Sequence, residues 1–564
     1  MDVNQKNSKY AADTAPENVG DFAPPSPSDD TSAGTCMTLT RFSRRLLLVA
    51  GLVFATTALS LMLTPTHSAA QTDCPIADTI SYPIDTTMFQ MVQDYGVASP
   101  RHQGRFHTGE DWAYLPGQTE GQPVRAAANG RVTYSYPLGW GRDGGVIILE
   151  HTFADGSVYY SQYGHIAESD TVTFPPRLTC VNAGDIIAVV GDARPAPHVH
   201  FEIRAAMPDV PGPGYSREAP LTSGWLRPMQ FVTNQQARLQ PAFAWSVMGN
   251  TFGPVAPPLA LNDGGLMVID GDRLRGITYD GRVLWRVIQE KQAVALLGYQ
   301  ANPYAIFADG DVHLLDFEGN LQERWNLPFD PDGPPIMVEG APVFHTRDNG
   351  LVALAPDLRD IAWRLDGVPA YSRAHAGADL IGLVTLNETL LLVSVDGDRV
   401  GEAELESGAS LTTAPDGTLL AYTAGGLWTI DAGGTWSLLL PDAPPGGGSA
   451  AVLTGTGGQI YLMDSERFYA YGPAGDLAWE ARLPQIISGQ TELAQYGGAL
   501  VITSTHGHIV VLGASGGICG FLQIYGNDRA GVWSNLNDDG ILRVAVGDQI
   551  VGLNWARFAA SCAD

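Results

Sequence analysis

The stretch "HVHFEIR", His198 to Arg204, reads as a β-strand with two histidines placed two residues apart. Side chains at that spacing leave the same face of a strand, with about 6 to 7 Å between their backbone positions. Outward from it, the runs "GRVTYSY", "GGVIILEH", "GSVYYSQYGHI" and "GDIIAVVG" show the same short, glycine-bounded texture, several with clear period-two alternation. Residues 81–235 therefore read as one antiparallel β domain, closed by "GWLRPMQFV".

Within that domain "GRFHTGEDWAYLPG", starting at Gly104, sets His107 four positions before Asp111. A catalytic zinc takes three N/O ligands from protein and keeps one position open for water. His107, Asp111 and one histidine of the His198/His200 pair supply such a set, leaving the other histidine free to handle a proton. His165, at the end of "YYSQYGHI", is a further proton-handling candidate. Two non-ligand histidines facing one metal favour a hydrolytic site over a structural one, because structural zinc usually closes its tetrahedron with protein ligands.

The segments "HTGED", "QPVRAAANGRV", "YGHI", "VNAGDIIAVVG" and "HVHFEIR" follow the order and spacing of the M23 peptidases, the lysostaphin/LytM type of zinc endopeptidase. The chain resembles that family from roughly Phe106 to Arg204. The resemblance implies that His107, Asp111 and His200 are zinc ligands and that His165 and His198 are the catalytic pair. Two departures stand out: Val199 lies between the paired histidines where the family usually has Leu, and a short "DARPAPH" replaces a longer Gly/Ser/Thr loop. That loop helps to wall the substrate groove, so the departure bears on substrate identity.

Beyond Trp245 the texture turns repetitive, as in "YDGRVLWRV", "FEGNLQERWNL", "LRDIAWRL", "VDGDRVGEAEL" and "AGDLAWEARL". Trp245, Trp285, Trp325, Trp363, Trp436, Trp479 and Trp555 fall nearly in phase with a period of about 39 residues, with skipped steps near Glu402 and Cys519. Each unit holds about four short strands and an Asp-Gly or Glu-Gly turn before its Trp strand, the layout of a propeller blade. Residues 236–564 are thus expected to form a seven- or eight-bladed β-propeller, and they resemble the quinoprotein-like (PQQ-like) family, in which an outer-strand Trp packs between blades. All the candidate catalytic residues precede Arg204, so chemistry and placement are expected to separate at about Arg238.

The rest of the chain bounds the setting. A 564-residue sequence with 45% hydrophobic residues has material for more than one core, and its 65 glycines and 38 prolines suit many short strands and turns, so the fold class is mainly β. The net charge of −28 and the lack of a basic stripe after Arg45 argue against a nucleic-acid partner. Residues 1–45 read as a disordered acidic tail with a basic end. Residues 46–64, "LLLVAGLVFATTALSLMLT", follow Arg41, Arg44 and Arg45 and read as a transmembrane anchor or a signal-peptide core, with residues 65–80 as linker. Ser68 and Ala70 suit cleavage after Ala70, and Met37 is an alternative start. Cys36 precedes the apolar segment; Cys74, Cys180, Cys519 and Cys562 follow it, where an oxidising compartment allows two disulfides. Pairing Cys74 with Cys180 and Cys519 with Cys562 keeps each bridge within one domain, among three possible connectivities.

These expectations combine into an extracytoplasmic, membrane-anchored or secreted Zn²⁺ endopeptidase acting on peptidoglycan stem or cross-bridge peptides, with a propeller that binds a protein partner or wall ligand. The rivals are a catalytically silent M23-fold adaptor and a quinone-dependent dehydrogenase. The first would be marked by lost ligands and the second by a calcium-binding acidic cavity, and neither mark is present in the sequence. His151 is expected to support a strand, His506 and His508 to sit on a propeller turn, and "DPDG" from Asp330 to be a turn.

Overall fold

Glycine-bounded alternation becomes antiparallel pairing in the computed structural model, which describes residues 74–249, 256–299, 302–404, 410–414, 416–440, 443–444, 451–526, 531–547 and 549–563. The expected tail and apolar segment, residues 1–64, lie outside the described residues. Among the described residues no helix is long and apolar enough to cross a membrane.

Thirteen strands build the first half: β1 (Phe89–Gln93), β2 (Ala98–Ser99), β3 (Arg105–His107), β4 (Glu110–Tyr114), β5 (Pro123–Arg125), β6 (Gly130–Tyr136), β7 (Gly145–Thr152), β8 (Val158–Ala167), β9 (Cys180–Val181), β10 (Ile186–Val190), β11 (Val199–Arg204), β12 (Tyr215–Ser216) and β13 (Trp225–Leu226). The main sheet runs β1-β4-β11-β8-β7-β6-β9, with β13 beside β11 and β10 beside β8 and β5, while β12-β3-β2 form a small second sheet. Strand β11 is central. Its apolar alternates, Val199, Phe201 and Ile203, join Val132, Ile147 and Tyr163 in the core, so its polar alternates face the other way. The Cys74–Cys180 disulfide staples the start of this half to β9.

Helix α1 (Pro228–Arg238) follows β13. Its Ala237 is buried in one apolar cluster with Leu522, Ile524, Leu542 and Phe558 from the far end of the chain. The described residues form one compact unit rather than two detached ones. The expected clean division at Arg238 therefore falls inside a shared core, because α1 belongs to both halves.

The second half is a ring of eight four-stranded antiparallel sheets among the described residues. Strand β14 (Phe243–Met248) pairs with the last strand, Gln549–Asn554, with Trp245 opposite Gly552. The first and last strands of the propeller thus complete one blade, which protects the sheet edges and closes the ring. The skipped tryptophan steps are real outer strands, Arg399–Glu404 and Ile518–Gln523. Trp555 is a correction: it opens the short helix Trp555–Phe558, because the outer-strand place of its blade is taken by β14.

The glycines of the Asp-Gly, Glu-Gly and Ser-Gly turns are explained by what lies against them. A Cβ on Gly281, Gly319, Gly397 or Gly516 would come within 2.5, 2.7, 2.6 and 2.6 Å of Trp245, Trp285, Trp363 and Trp479, respectively. The indole N–H groups of Trp285, Trp363 and Trp479 donate to the carbonyls of Phe317, Val395 and Ala514 in the adjoining blade, at 2.7 to 2.8 Å. Each tryptophan thus seats one blade on the next. The Cys519–Cys562 disulfide ties the chain end to an outer strand.

Candidate metal centre and catalytic cleft

Three strands deliver three side chains to one point. His107 ends β3, and a corner at Thr108 and Gly109 turns the chain into β4, which carries Asp111. Gly109 is required by close approach: a Cβ there would lie 2.4 Å from the Phe201 carbonyl oxygen and 2.8 Å from the His200 ring. On β11, His200 stands opposite Asp111 of β4 and Gly164 of β8. His107 Nε2, Asp111 Oδ1 and His200 Nδ1 then lie 2.9 to 3.1 Å from one another. All three residues are buried.

The protons decide what this cluster is for. His107 Nδ1 faces the Asp94 carbonyl at 3.1 Å, so that nitrogen carries the hydrogen. His200 Nε2 faces the Glu202 carboxylate at 3.0 Å, so it too is the donor. In neutral rings the two nitrogens turned toward Asp111 are then lone pairs, and three acceptors meet about a hydrogen-bond length apart. Such an arrangement needs a cation, either added protons or a metal. Ligands at zinc distances on a tetrahedron stand about 3.3 Å apart, close to the spacing here, and two imidazoles plus a carboxylate are a zinc donor set. The same residues form the one candidate metal group among the described residues.

Charges around the cluster agree. Burial pushes the Asp111 carboxyl up, but hydrogen bonds from His107 and His200 win and hold it well below the usual carboxylate range. Burial works against charge on His200, yet its bonds to Asp111 and Glu202 raise it to about 9. Glu202, fully buried, is opposed by desolvation but brought to about 2 by the Arg204 charge and the His200 hydrogen bond.

His165 and His198 lie beside this cluster. The register of β7 against β8 slips between Gly145 and Val146, so His165 is the extra residue of a β-bulge, with φ of 58°. Bulges re-aim a side chain out of the alternation, and a non-glycine residue at positive φ is uncommon away from such sites. His165 Nδ1 donates to the Asp143 carbonyl at 2.6 Å, and His198 Nδ1 to that of Ala196 at 2.8 Å. Each ring thereby keeps Nε2 as a lone pair. The ring centroids are 4.4 Å apart, and His198 Nε2 is 3.5 Å from Asp111 Oδ2. Burial, aided by His198, pushes His165 down to about 4.

All five residues line one cleft of about 530 Å³, walled by Trp140, Tyr215, Arg101 and Arg194. Arg194, from the short "DARPAPH" loop, forms a two-pronged pair with Asp143 at 2.9 and 3.0 Å, and the Asp143 carbonyl is the group that anchors His165. The shortened loop is thus tied down against the wall that carries His165.

Sequence reasoning missed Glu202 and Arg204. Both are buried on the polar face of β11 behind His200, where Glu202 also accepts from Thr108 at 2.7 Å and pairs with Arg204. Extending the period-two reading from His198 and His200 to Glu202 and Arg204 would have found them. His151 is elsewhere, buried between the Asn129 carbonyl and Ser161. His508 bonds to Ser504 and His506 to Ser488 in the propeller.

Residues 105–210 match the family model described as Peptidase family M23. No curated protein matches the chain. Among solved structures, BamB from Moraxella catarrhalis is similar at 13% identity with a TM-score of 0.41, covering 55% of this chain and 99% of that one. Sqt1 from Saccharomyces cerevisiae is similar at 12% identity with a TM-score of 0.43, covering 56% and 99%. Quinohemoprotein alcohol dehydrogenase from Comamonas testosteroni is similar at 13% identity with a TM-score of 0.39, covering 56% and 76%.

Proposed function

Because residues 105–210 form a peptidase family M23 domain, we propose that this protein is a zinc endopeptidase that hydrolyses peptide bonds in peptidoglycan stems or cross-bridges. The observation that carries the reading is the convergence of three lone pairs, on His107, Asp111 and His200, beside two imidazoles whose Nε2 atoms are free to take a proton. Bound by those three residues, Zn²⁺ supplies Lewis acidity and brings the pKa of a water toward about 7.

The chain's own residues do the rest. His198 and His165 have their Nδ1–H groups anchored on carbonyls, so each accepts a proton only at Nε2. One takes the proton of the attacking water and returns it to the departing amine, the usual division of general base and general acid. The protonated ring then faces the tetrahedral oxyanion and stabilises it. Trp140, edge-on to both His165 and His200, restricts water on one side of the cleft.

Two disulfides suit an oxidising compartment, and the apolar segment 46–64 after three arginines supplies a route across or into a membrane. The protein therefore acts in the cell envelope, anchored or secreted, with the propeller holding a protein partner or wall ligand. Metal analysis of the purified chain, with amine release from a soluble peptide before and after chelation, tests the reading; stoichiometric zinc and chelator-sensitive release are expected.

A further inference from the structure

The segment Trp225 to Met229 runs from β13 through Arg227 into the first turn of α1; its Trp225 and Arg227 side chains reach the partners of His200 and His107, and its Met229 N–H reaches Glu110, the residue beside Asp111. The backbone is extended there: Trp225 and Leu226 pair with Arg204 and Ile203 of β11, and Arg227 has φ of −63° and ψ of 117° before Pro228 opens the helix. Alternate positions of an extended segment share a face. Trp225 donates its indole N–H to Glu202 Oε1, and the other oxygen of that carboxylate is the partner of His200 Nε2. Arg227 pairs with both Asp94 carboxylate oxygens at 3.1 Å, and the Asp94 carbonyl holds His107 Nδ1. The Met229 N–H donates to Glu110 Oε1 at 2.9 Å. Glu110 is wholly buried on β4, immediately before Asp111 and on the opposite face.

Further along, the same helix is fastened to the propeller. Asn234 Oδ1 accepts from the Tyr525 backbone N–H and from Gln549 Nε2, both at 2.9 Å, and Gln549 in turn donates to the Tyr525 carbonyl at 2.8 Å. Ala237 lies in the propeller's apolar cluster. The β13–α1 segment is thus bonded at its start to the partners of His200 and His107 and to Glu110 beside Asp111, and near the end of α1 to two propeller segments.

We propose that Trp225–Met229 is a brace that sets His200 through Glu202 and His107 through Asp94 and pins β4 next to Asp111 through Glu110, and that docking of α1 on the propeller holds the brace in place. The proposal rests on the zinc reading of His107, Asp111 and His200. Trp225, Arg227 and Asn234 are positioning residues; they act through Glu202, Asp94 and the helix. Partners that orient a ligand typically matter by about 10- to 100-fold in metal affinity. The propeller is therefore part of the metal site's support, beyond any role in placement.

The test uses the full chain, read by zinc affinity in competition with a chromophoric chelator and by the visible absorption of the cobalt(II)-loaded protein. Circular dichroism of the metal-free chain controls for folding. Trp225→Phe keeps the ring and loses the N–H; Arg227→Gln loses the ion pair, and Arg227→Lys restores its charge. Zinc affinity is expected to fall about 10-fold or more in Trp225→Phe and Arg227→Gln, with a shifted cobalt band, and to recover in part in Arg227→Lys. Asn234→Ala is expected to weaken zinc binding in the same direction. Wild-type affinity and an unchanged cobalt band in Trp225→Phe and Arg227→Gln would overturn the brace, and wild-type affinity in Asn234→Ala would overturn its tie to the propeller. A wild-type chain that binds no zinc would overturn the zinc reading itself.

Discussion

His107 Nε2 lies 3.0 Å from His200 Nδ1, and the opposite nitrogen of each ring donates its hydrogen elsewhere. His200→Ala should therefore leave a chain that does not retain zinc. His198→Ala should retain zinc and lose about 10²- to 10⁴-fold in turnover, the usual worth of a positioned proton-transfer group. Zinc content and rate measured on both variants check this; equal metal loss in both would contradict the assigned roles.

Gly109→Ala changes no ligand, yet its Cβ would lie 2.8 Å from the His200 ring and 2.4 Å from the Phe201 carbonyl oxygen. The strand or the ring must move, and overpacking of this kind costs about 1 to 3 kcal/mol. Zinc affinity is expected to fall, measured by competition with a chromophoric chelator. Full zinc affinity in Gly109→Ala would show that the close approach is not needed.

Gly319 combines φ of 81° with a Cβ position 2.7 Å from Trp285. Gly319→Ala should destabilise the propeller by roughly 2 kcal/mol or more, from the left-handed backbone and the displaced tryptophan together. Denaturant unfolding followed by tryptophan fluorescence measures it. Leu358, at φ of 61° and buried in the core beside Trp325, fills the matching turn of one blade, so Leu358→Ala should cost about 2 to 5 kcal/mol from the cavity it leaves.

Burial pushes His151 down to about 4, and the ring lies away from the metal cluster. Its folded pKa is below the unfolded value near 6.5, so the unfolded chain takes the proton first as pH falls. The stability this group contributes is complete above about pH 6.5 and is lost between there and about pH 4, a change on the order of 3 kcal/mol. Unfolding at pH 7 and pH 4.5 should show the wild type losing more stability than His151→Asn; parallel losses would contradict the assignment.

The clustering of His107, Asp111 and His200 was legible in the spacing of the motifs: β4 and β11 pair with Asp111 opposite His200, and the two-residue corner after β3 brings His107 beside them. The bulge at His165 was not legible, since it arises from a slip against β7 that no local pattern encodes. Glu202 and Arg204 were within reach, two and four residues past His200 on the same face. The roughly 39-residue tryptophan rhythm located all eight outer strands, six by a tryptophan and two by its skipped steps. It overran at Trp555, because ring closure is a pairing between residues some 300 positions apart. The shared helix α1 was hidden for the same reason. "GWLRPMQFV" reads as the end of one domain, and its contacts with Tyr525 and Gln549 depend on strands far along the chain.

Digestion of purified bacterial cell walls by the full-length chain, with released fragments identified by mass spectrometry, tests the central claim most directly. The expected result is cleavage at a defined peptide bond in stems or cross-bridges, abolished by a chelator, restored by zinc, and absent in His198→Ala that still holds its metal. Undiminished digestion by a metal-free chain, or no cleavage by a zinc-loaded one, would contradict the account.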